Sequence, residues 1–327
     1  MRSTPPRGTV RDRQGFVLVC VLWILAILTV MTLGFGRRAY LDARAASLTL
    51  DQAQARHIAR GAVRRGVAEV QMRLLLRDRI RLPVESGGSE SGRLRLRIYG
   101  STDLRDDFEG LFDGDYAEER CGVRVEDEQG RFNVNTVPEE ILENLEDLEF
   151  GVASAILERR AEGEDGGESP QPITVLEELL LFEDIKPEDW TGDGERAGLR
   201  DLFTVFGEDE ARVNVNTASR EVLMLLPDIE EDVVDAILAY RAGPDGMLFT
   251  QDDQEFEDIA EISGRIDVDP AALAPIAAHC MTQSEFFRIT GFATRRQGRI
   301  RAQCMAVCSI TDQATEILLW KEEVGGP

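Results

Sequence analysis

The spacing of hydrophobic positions changes period along this chain. Phe16 to Phe35 is an uninterrupted run of 20 uncharged residues, FVLVCVLWILAILTVMTLGF. As a helix it spans about 30 Å, the hydrocarbon core of a bilayer. Beyond it, Ile58, Ala62, Val63, Val67, Val70 and Leu74 recur at helical spacing with polar residues opposite, which makes one apolar face. Together these patterns predict a single helix from Phe16 to near Ile80, stopped by Pro83 and the SGGSESG stretch at 86–92. From residue 93 the period drops to two. RLRLRIY (93–99) and CGVRVE (121–126) predict strands. FFRITGFAT (286–294) and RIRAQCMAVCSI (299–310) predict a hairpin about Arg295–Gly298, and EILLWK (316–321) predicts one strand more. Residues 131–282, between these strands, read as mostly helical.

That middle contains a repeat. Phe132-Asn133-Val134-Asn135-Thr136 returns as Val213-Asn214-Val215-Asn216-Thr217, and the register holds without a gap to Arg160 against Arg241. Such self-similarity means two similar helical modules. In the first, Thr136-Val137-Pro138-Glu139 predicts a capping box with Pro in the first turn. Thr217 is the equivalent predicted cap, with Arg220 where the Glu would stand. The Asn side chains are expected to bond turn backbone, so N-V-N-T reads as a strand-to-helix turn rather than a catalytic site.

The second copy resembles the helix-hairpin-helix module of DNA-binding proteins, and a membrane-anchored DNA-binding or DNA-uptake protein is the alternative reading. Those hairpins read Leu-Pro-Gly-Ile-Gly, and the glycines let backbone N–H groups approach a phosphate. Here Leu226-Pro227-Asp228-Ile229-Glu230 is followed by Glu231 and Asp232, and the first copy has Glu146-Asp147-Leu148-Glu149. Carboxylates stand where a phosphate would sit. Charge argues the same way. The chain of 327 residues carries a net −24, but residues 1–81 hold +10 and the remaining 246 hold −34. An acidic surface repels the phosphates that nucleic-acid binding must neutralise, so nucleic acid is not expected as a partner. Only His57 and His279 are present, with no G-x-S-x-G and no H-E-x-x-H. A His-built metal centre or a hydrolase is therefore not expected, and the chain is read as a non-enzyme.

Arg2, Arg7, Arg11 and Arg13 precede the apolar run. The positive-inside rule then keeps the N-terminus cytoplasmic and exports the rest through the inner membrane. A plain anchor with a helical stalk would satisfy hydropathy alone. However, Arg13-Gln14-Gly15-Phe16 resembles the processing site of type IV pilin-like proteins. There, prepilin peptidase cuts after the Gly and the new N-terminal Phe is methylated, which singles out Gly15 and Phe16. Most of that class carry Glu at the fifth mature position; here it is Cys20.

The prepilin-like start, the missing Glu, two modules opened by N-V-N-T, and terminal strands running from Ser284-Glu285-Phe286-Phe287-Arg288 to Leu318-Leu319-Trp320 occur in order. In that combination the chain resembles the GspK family of type II secretion minor pseudopilins from about residue 11 to 322. The resemblance implies an α+β, pilin-like fold. A long N-terminal helix would pack on an antiparallel sheet, with a large inserted all-α domain of two helix-hairpin-helix-like (SAM-like) repeats. The expected organisation is a leader at 1–15, a membrane segment at 16–36, and a periplasmic helix at 37–82. First strands at 83–131, repeats at 132–212 and 213–283, and final strands at 284–322 complete it. The family further implies a place at the tip of the periplasmic pseudopilus and support for its assembly and for protein export. Its partners would be the minor pseudopilins GspI, GspJ and GspH, the major pseudopilin filament and prepilin peptidase. A subunit with none above it would tolerate the missing Glu.

Acidic, glycine-containing loops offer oxygen ligands for a hard cation, which needs six to eight of them. The best is 243–257, with Asp245, Asp252, Asp253, Glu255 and Glu257. Asp189 and Asp193 mark a second, and Glu162–Glu168 a third. None has EF-hand spacing, and a solvated acidic loop is the plain alternative. The GspK resemblance implies calcium in the inserted domain and favours the first loop. Four cysteines lie on the exported side: Cys121, Cys280, Cys304 and Cys308. Cys304 and Cys308, about 13 Å apart along an extended strand, cannot pair with each other. Each could pair with Cys121 or Cys280 in an oxidising compartment, or all four could be small buried side chains.

Overall fold

Helix α1 (Arg11–Arg77) is 67 residues long and joins the apolar run to the amphipathic stretch without a break. This computed structural model describes residues 11–77, 100–103, 120–145, 152–161, 172–182, 185–192, 197–207, 211–248, 253–311 and 313–325. The chain divides between Ala55 and Arg56 into two compact units. In the first, nearly every side chain from Phe16 to Phe35 is exposed, and the helix is long and apolar enough to cross a membrane. Thr29 and Thr32 donate their hydroxyls to the carbonyl oxygens of Leu25 and Leu28, 2.7 Å away in each case. Those bonds satisfy the only hydroxyls of the apolar run within the helix itself, as a hydrocarbon environment demands.

The second unit begins with the rest of α1, where Ile58, Ala59, Ala62, Val63 and Val70 are buried, close to the face the periodicity predicts. Strands β1 (Gly100–Asp103) and β2 (Arg120–Asp127) follow. The next elements are β3 (Phe132–Asn133), α2 (Glu139–Glu143), α3 (Val152–Ala161), α4 (Pro187–Thr191) and α5 (Leu199–Leu202). They lead to β4 (Phe203–Thr204), β5 (Val213–Asn214), α6 (Arg220–Leu223) and α7 (Glu231–Arg241). Then come α8 (Ile262–Arg265), α9 (Ala274–His279) and β6 (Cys280–Met281), before the long strands β7 (Phe286–Arg295), β8 (Ile300–Ile310) and β9 (Thr315–Gly325). The main sheet is antiparallel throughout, in the order β1-β2-β7-β8-β9. Its β7–β8 connection turns through Arg296, Gln297 and Gly298, all at positive φ (51°, 58° and 79°), the backbone hand that matches strand twist in a tight hairpin.

Alternation decides which face meets α1. Phe287, Ile289, Gly291 and Ala293 of β7 are buried, while the residues between them are half exposed. Gly291 lies directly beneath the helix. A Cβ there would collide with the Ala59 carbonyl oxygen and come within 2.9 Å of the Val63 nitrogen. Gly66 answers from the helix, where an added Cβ would come 2.8 Å from methyls of Ile289 and Val123. Small residues on both partners thus allow a close helix–sheet approach.

Between β2 and β7 the chain builds a second core, whose largest fully buried side chains include Phe132, Phe203, Phe256, Ile141, Leu223 and Ile237. This segment is helical, but not purely so. Two short parallel strand pairs, β3–β4 and β5–β6, open and close the modules. The repeat is explicit in the hydrogen bonds. Asn133 and Asn214 each accept, on Oδ1, the N–H of the residue two ahead, at 3.0 Å. Asn135 clasps the backbone of Ile173 (N–H to Oδ1 2.8 Å, Nδ2 to carbonyl 3.0 Å). Asn216 clasps Phe256 in the same way (2.8 and 2.9 Å). Arg160 donates to the carbonyls of Val134 and Val137, and its counterpart Arg241 donates to that of Ala218 at 2.6 Å. These arginines hold the turn carbonyls that each module leaves unpaired.

Two local expectations are corrected. No capping box forms at Thr136: the chain turns through 134–136, and Pro138, with extended backbone, is the N-cap of α2. In the second module the cap is Ser219, whose hydroxyl accepts from Val222 N–H, not Thr217. The strand predicted at 93–99 lies outside the described residues. The unpredicted β1 starts at Gly100.

Candidate functional site

The most polar buried region lies where the chain leaves the sheet. At the end of β2 come Asp127, Glu128 and Gln129, all buried, and each fastens a different part of the unit. Asp127 Oδ2 accepts from Ser284 Oγ (2.5 Å), Thr217 Oγ1 (2.6 Å) and Asn214 Nδ2 (3.0 Å). Its Oδ1 accepts the Gln129 N–H at 2.9 Å. Glu128 Oε1 accepts from Arg288 Nε (2.5 Å), and Oε2 from Thr204 Oγ1 (2.6 Å) and the Arg131 guanidinium (3.0 Å). Gln129 Oε1 accepts the N–H groups of Glu285 and Phe286 at 2.7 and 3.3 Å, where β7 begins.

Three consecutive side chains therefore tie the departing strand to both modules and to the returning strand. Buried carboxylates are tolerated only when so satisfied. Burial pushes the Asp127 carboxyl up, against the hydrogen bonds from Ser284, Thr217, Gln129 and Asn214 that pull it down. Glu128 has two guanidinium partners. Asp127 is held by neutral donors alone. The hub also distinguishes the repeats: Thr217 serves Asp127, whereas the buried hydroxyl of its counterpart Thr136 has no hydrogen-bond partner among the described residues.

Ser284 and Thr217 both donate to one carboxylate, an arrangement that fixes backbone geometry. Sequence reasoning missed Asp127, Glu128, Gln129 and Ser284. The available signal was three polar residues ending an alternating strand.

The residues singled out from sequence fall as follows. Gly15 and Phe16 lie in the first turns of α1, with Phe16 71% exposed. Asp245 is exposed and accepts the Met247 N–H within its own turn at 2.7 Å. Asp253 is half-buried, and Glu255 and Glu257 are exposed. Asp189 accepts the Lys186 N–H at 2.8 Å, at the start of α4. Asp252 and Asp193 lie outside the described residues, as do 162–168. Among the described residues, no three His, Cys, Asp or Glu side chains converge to hold a metal.

Cys121, Cys280, Cys304 and Cys308 are buried, and no disulfide joins them. Cys121 is on β2 and Cys304 and Cys308 on β8, with β7 between. Two strand spacings, about 9.5 Å, exceed the reach of a disulfide. Cys280, on β6, belongs to the core of the helical segment.

Before α7, Asp228 takes a positive φ of 55° at the position where helix-hairpin-helix motifs carry Gly. The chemistry at the helix start is reversed. Glu230, Glu231 and Asp232 are exposed there, and Arg220 binds Glu231 and Asp235 at 2.5 and 3.2 Å. An anion approaching this end of α7 meets carboxylates.

The chain matches no family model and no curated protein. Among solved structures it is similar to a chain of the crystal structure of the GspK-GspI-GspJ complex from the enterotoxigenic Escherichia coli Type 2 Secretion System. The two share 13% identity, and the match covers 86% of this chain and 99% of that one with a TM-score of 0.53. At that identity the likeness is one of fold: a long N-terminal helix combined with an antiparallel sheet.

Proposed function

We propose that this protein is a non-enzymatic minor pseudopilin of a type II secretion system. The observation that carries the reading is the shared fold. A helix with a membrane-length apolar start joins a five-stranded sheet interrupted between β2 and β7 by paired modules, and its counterpart is a chain of the GspK-GspI-GspJ complex of a Type 2 Secretion System. In this reading Phe16–Phe35 crosses the inner membrane with the arginine-rich leader in the cytoplasm and the acidic unit in the periplasm. Prepilin peptidase cleaves after Gly15, and Phe16 is N-methylated. The subunit stands at the pseudopilus tip, with partners of the GspI and GspJ kind, and supports assembly and export. Cys20 in place of a Glu removes a charge that another subunit would have to neutralise within the bilayer.

The mass of the N-terminal peptide, taken from protein recovered from cell envelopes, tests the reading. A peptide beginning at N-methylated Phe16 supports it. A peptide retaining Met1 in cells with active prepilin peptidase returns the chain to a simple anchored protein. The proposal extends to calcium on residue chemistry alone: Asp252 and its neighbours in the 243–257 loop would supply oxygens. Calorimetric titration of the full chain with calcium checks this. Saturable binding that is weakened by Asp252→Asn supports it, and no binding at millimolar calcium removes it.

A further inference from the structure

Strand β9 is the outer edge of the main sheet: one side pairs with β8, and among the described residues no strand lies beyond the other. It runs for 11 residues, long for an edge. Natural edges are usually short, bulged, proline-containing or covered, because unpaired N–H and C=O groups recruit further strands. Here a register irregularity at Val307/Cys308 disturbs only the start, and pairing is regular from Leu319 to Gly325. Four consecutive large apolar residues are solvent-exposed on this edge: Ile317 (55%), Leu318 (42%), Leu319 (41%) and Trp320 (37%).

The flank of α1 beside this edge is basic. Arg56, Arg60 and Arg64 are spaced four apart and share one helix face. Arg60 binds Glu322 of β9, and Arg56 lies 3.9 Å from the same carboxylate. Both Arg60 and Arg64 act electrostatically on Cys304, which stands opposite Glu322 in the β8–β9 register. Arg64 is exposed and has no carboxylate within ion-pair distance among the described residues. On the α1 side of the edge three guanidinium groups stand against one carboxylate, a local cationic excess, while Glu316 and Glu323 of β9 lie on the other side of the sheet.

We propose that β9 is a docking edge that takes an extended, acidic and apolar segment of another polypeptide as an added strand. An edge specifies its occupant through its backbone, since only an extended chain can pair with the row of N–H and C=O groups. The side chains specify the rest. An added strand directs alternate residues toward α1, where carboxylates meet Arg56 and Arg64, while the apolar residues between them face the opposite side, where Leu319 is exposed. The inference stands on the edge and the arginine row, and requires neither leader cleavage nor a place in a filament.

The test uses the full chain in detergent micelles and a labelled ten-residue peptide of alternating Val and Glu with blocked ends. Saturable binding about tenfold tighter than that of the Val/Lys counterpart is expected. N-methylation of alternate peptide nitrogens, which removes the donors facing β9, is expected to abolish it. The exposed substitution Arg64→Glu should reverse the charge preference without disturbing the fold. Equal binding of both peptides, indifference to N-methylation, or the absence of saturable binding overturns the proposal. So does concentration-dependent self-association abolished by Leu318→Lys, which would make a second copy the occupant.

Discussion

Arg60 and Glu322 form a bidentate ion pair, Nε to Oε1 at 2.6 Å and the terminal nitrogen to Oε2 at 2.8 Å, across 262 positions of sequence. It joins α1 to the edge strand at the far side of the sheet. Trp320 Nε1 adds a donor to Oε1 at 2.7 Å. Two parallel charge-assisted bonds fix geometry as well as energy, so the pair sets where β9 lies against the helix.

That pair predicts a dependence on acid. The Arg60 hydrogen bonds, followed by that of Trp320, pull the Glu322 carboxyl down to about 2 from an ordinary 4.5. A depressed carboxyl stabilises the fold above its ordinary value and loses that contribution as pH falls toward its folded value. Glu322→Gln should therefore lower the melting temperature at pH 6, and the gap from wild type should close between pH 4.5 and 2. Melting curves across that range check it. A gap that stays constant with pH would mean the pair contributes through shape alone.

Asp127 has the opposite sign. Burial raises its carboxyl above the ordinary 3.8, so its contribution is greatest below that value and is lost as pH rises through the raised one. Asp127→Ala removes the acceptor of the Ser284 hydroxyl and of the Gln129 N–H, the nearer acceptor of the Thr217 hydroxyl, and one of the two acceptors of the Asn214 amide. Each stranded donor costs about 1–3 kcal/mol, so a loss of several kcal/mol in denaturant titration is expected. Asp127→Asn retains one acceptor oxygen and should cost less, with its deficit from wild type largest at low pH and shrinking as pH rises.

The two glycines of the helix–sheet contact should respond unequally to alanine. At Gly291 the new Cβ meets backbone atoms of Ala59 and Val63, which cannot yield without moving α1. Overpacking of this kind costs about 1–3 kcal/mol. At Gly66 it meets methyl groups of Ile289 and Val123. There the alanine also gains about 1 kcal/mol of helix propensity, and side chains can shift. Gly291→Ala should be the more destabilising by thermal denaturation, and the reverse order would mean that the helix lifts easily from the sheet.

Elements written in local periodicity were legible in the sequence. The β7–β8 hairpin emerges from strict alternation, α1 from an apolar run continued by one apolar face, and the two modules from the register of Asn135 with Asn216 and Arg160 with Arg241. The hub was not legible. Asp127 and Ser284 are 157 positions apart, and no spacing rule connects a polar strand end to a serine before another strand. The capping assignments failed for a related reason. Thr136 and Thr217 satisfy the local rule for an N-cap, but in the first module the cap falls two residues later, at Pro138, and tertiary contact with Asp127 claims the hydroxyl of the second threonine.

The cysteines show how burial governs reactivity, and they give the last prediction. Desolvation pushes the thiols of Cys304 and Cys308 up to about 11, and that of Cys280 to about 12. The thiolate is the nucleophile, so at pH 8 very little of any of the three is reactive. Iodoacetamide should leave them unmodified in the folded chain and label them promptly in denaturant, with peptide mass spectrometry locating the adducts. The same experiment reads the oxidation state. With β7 between them, Cys121 cannot reach Cys304 or Cys308 unless the sheet opens. Protein isolated from an oxidising compartment should therefore contain no disulfide from Cys121 to Cys304 or Cys308. Recovery of a peptide linking Cys121 to Cys304 or Cys308 would require a different strand order from β2-β7-β8.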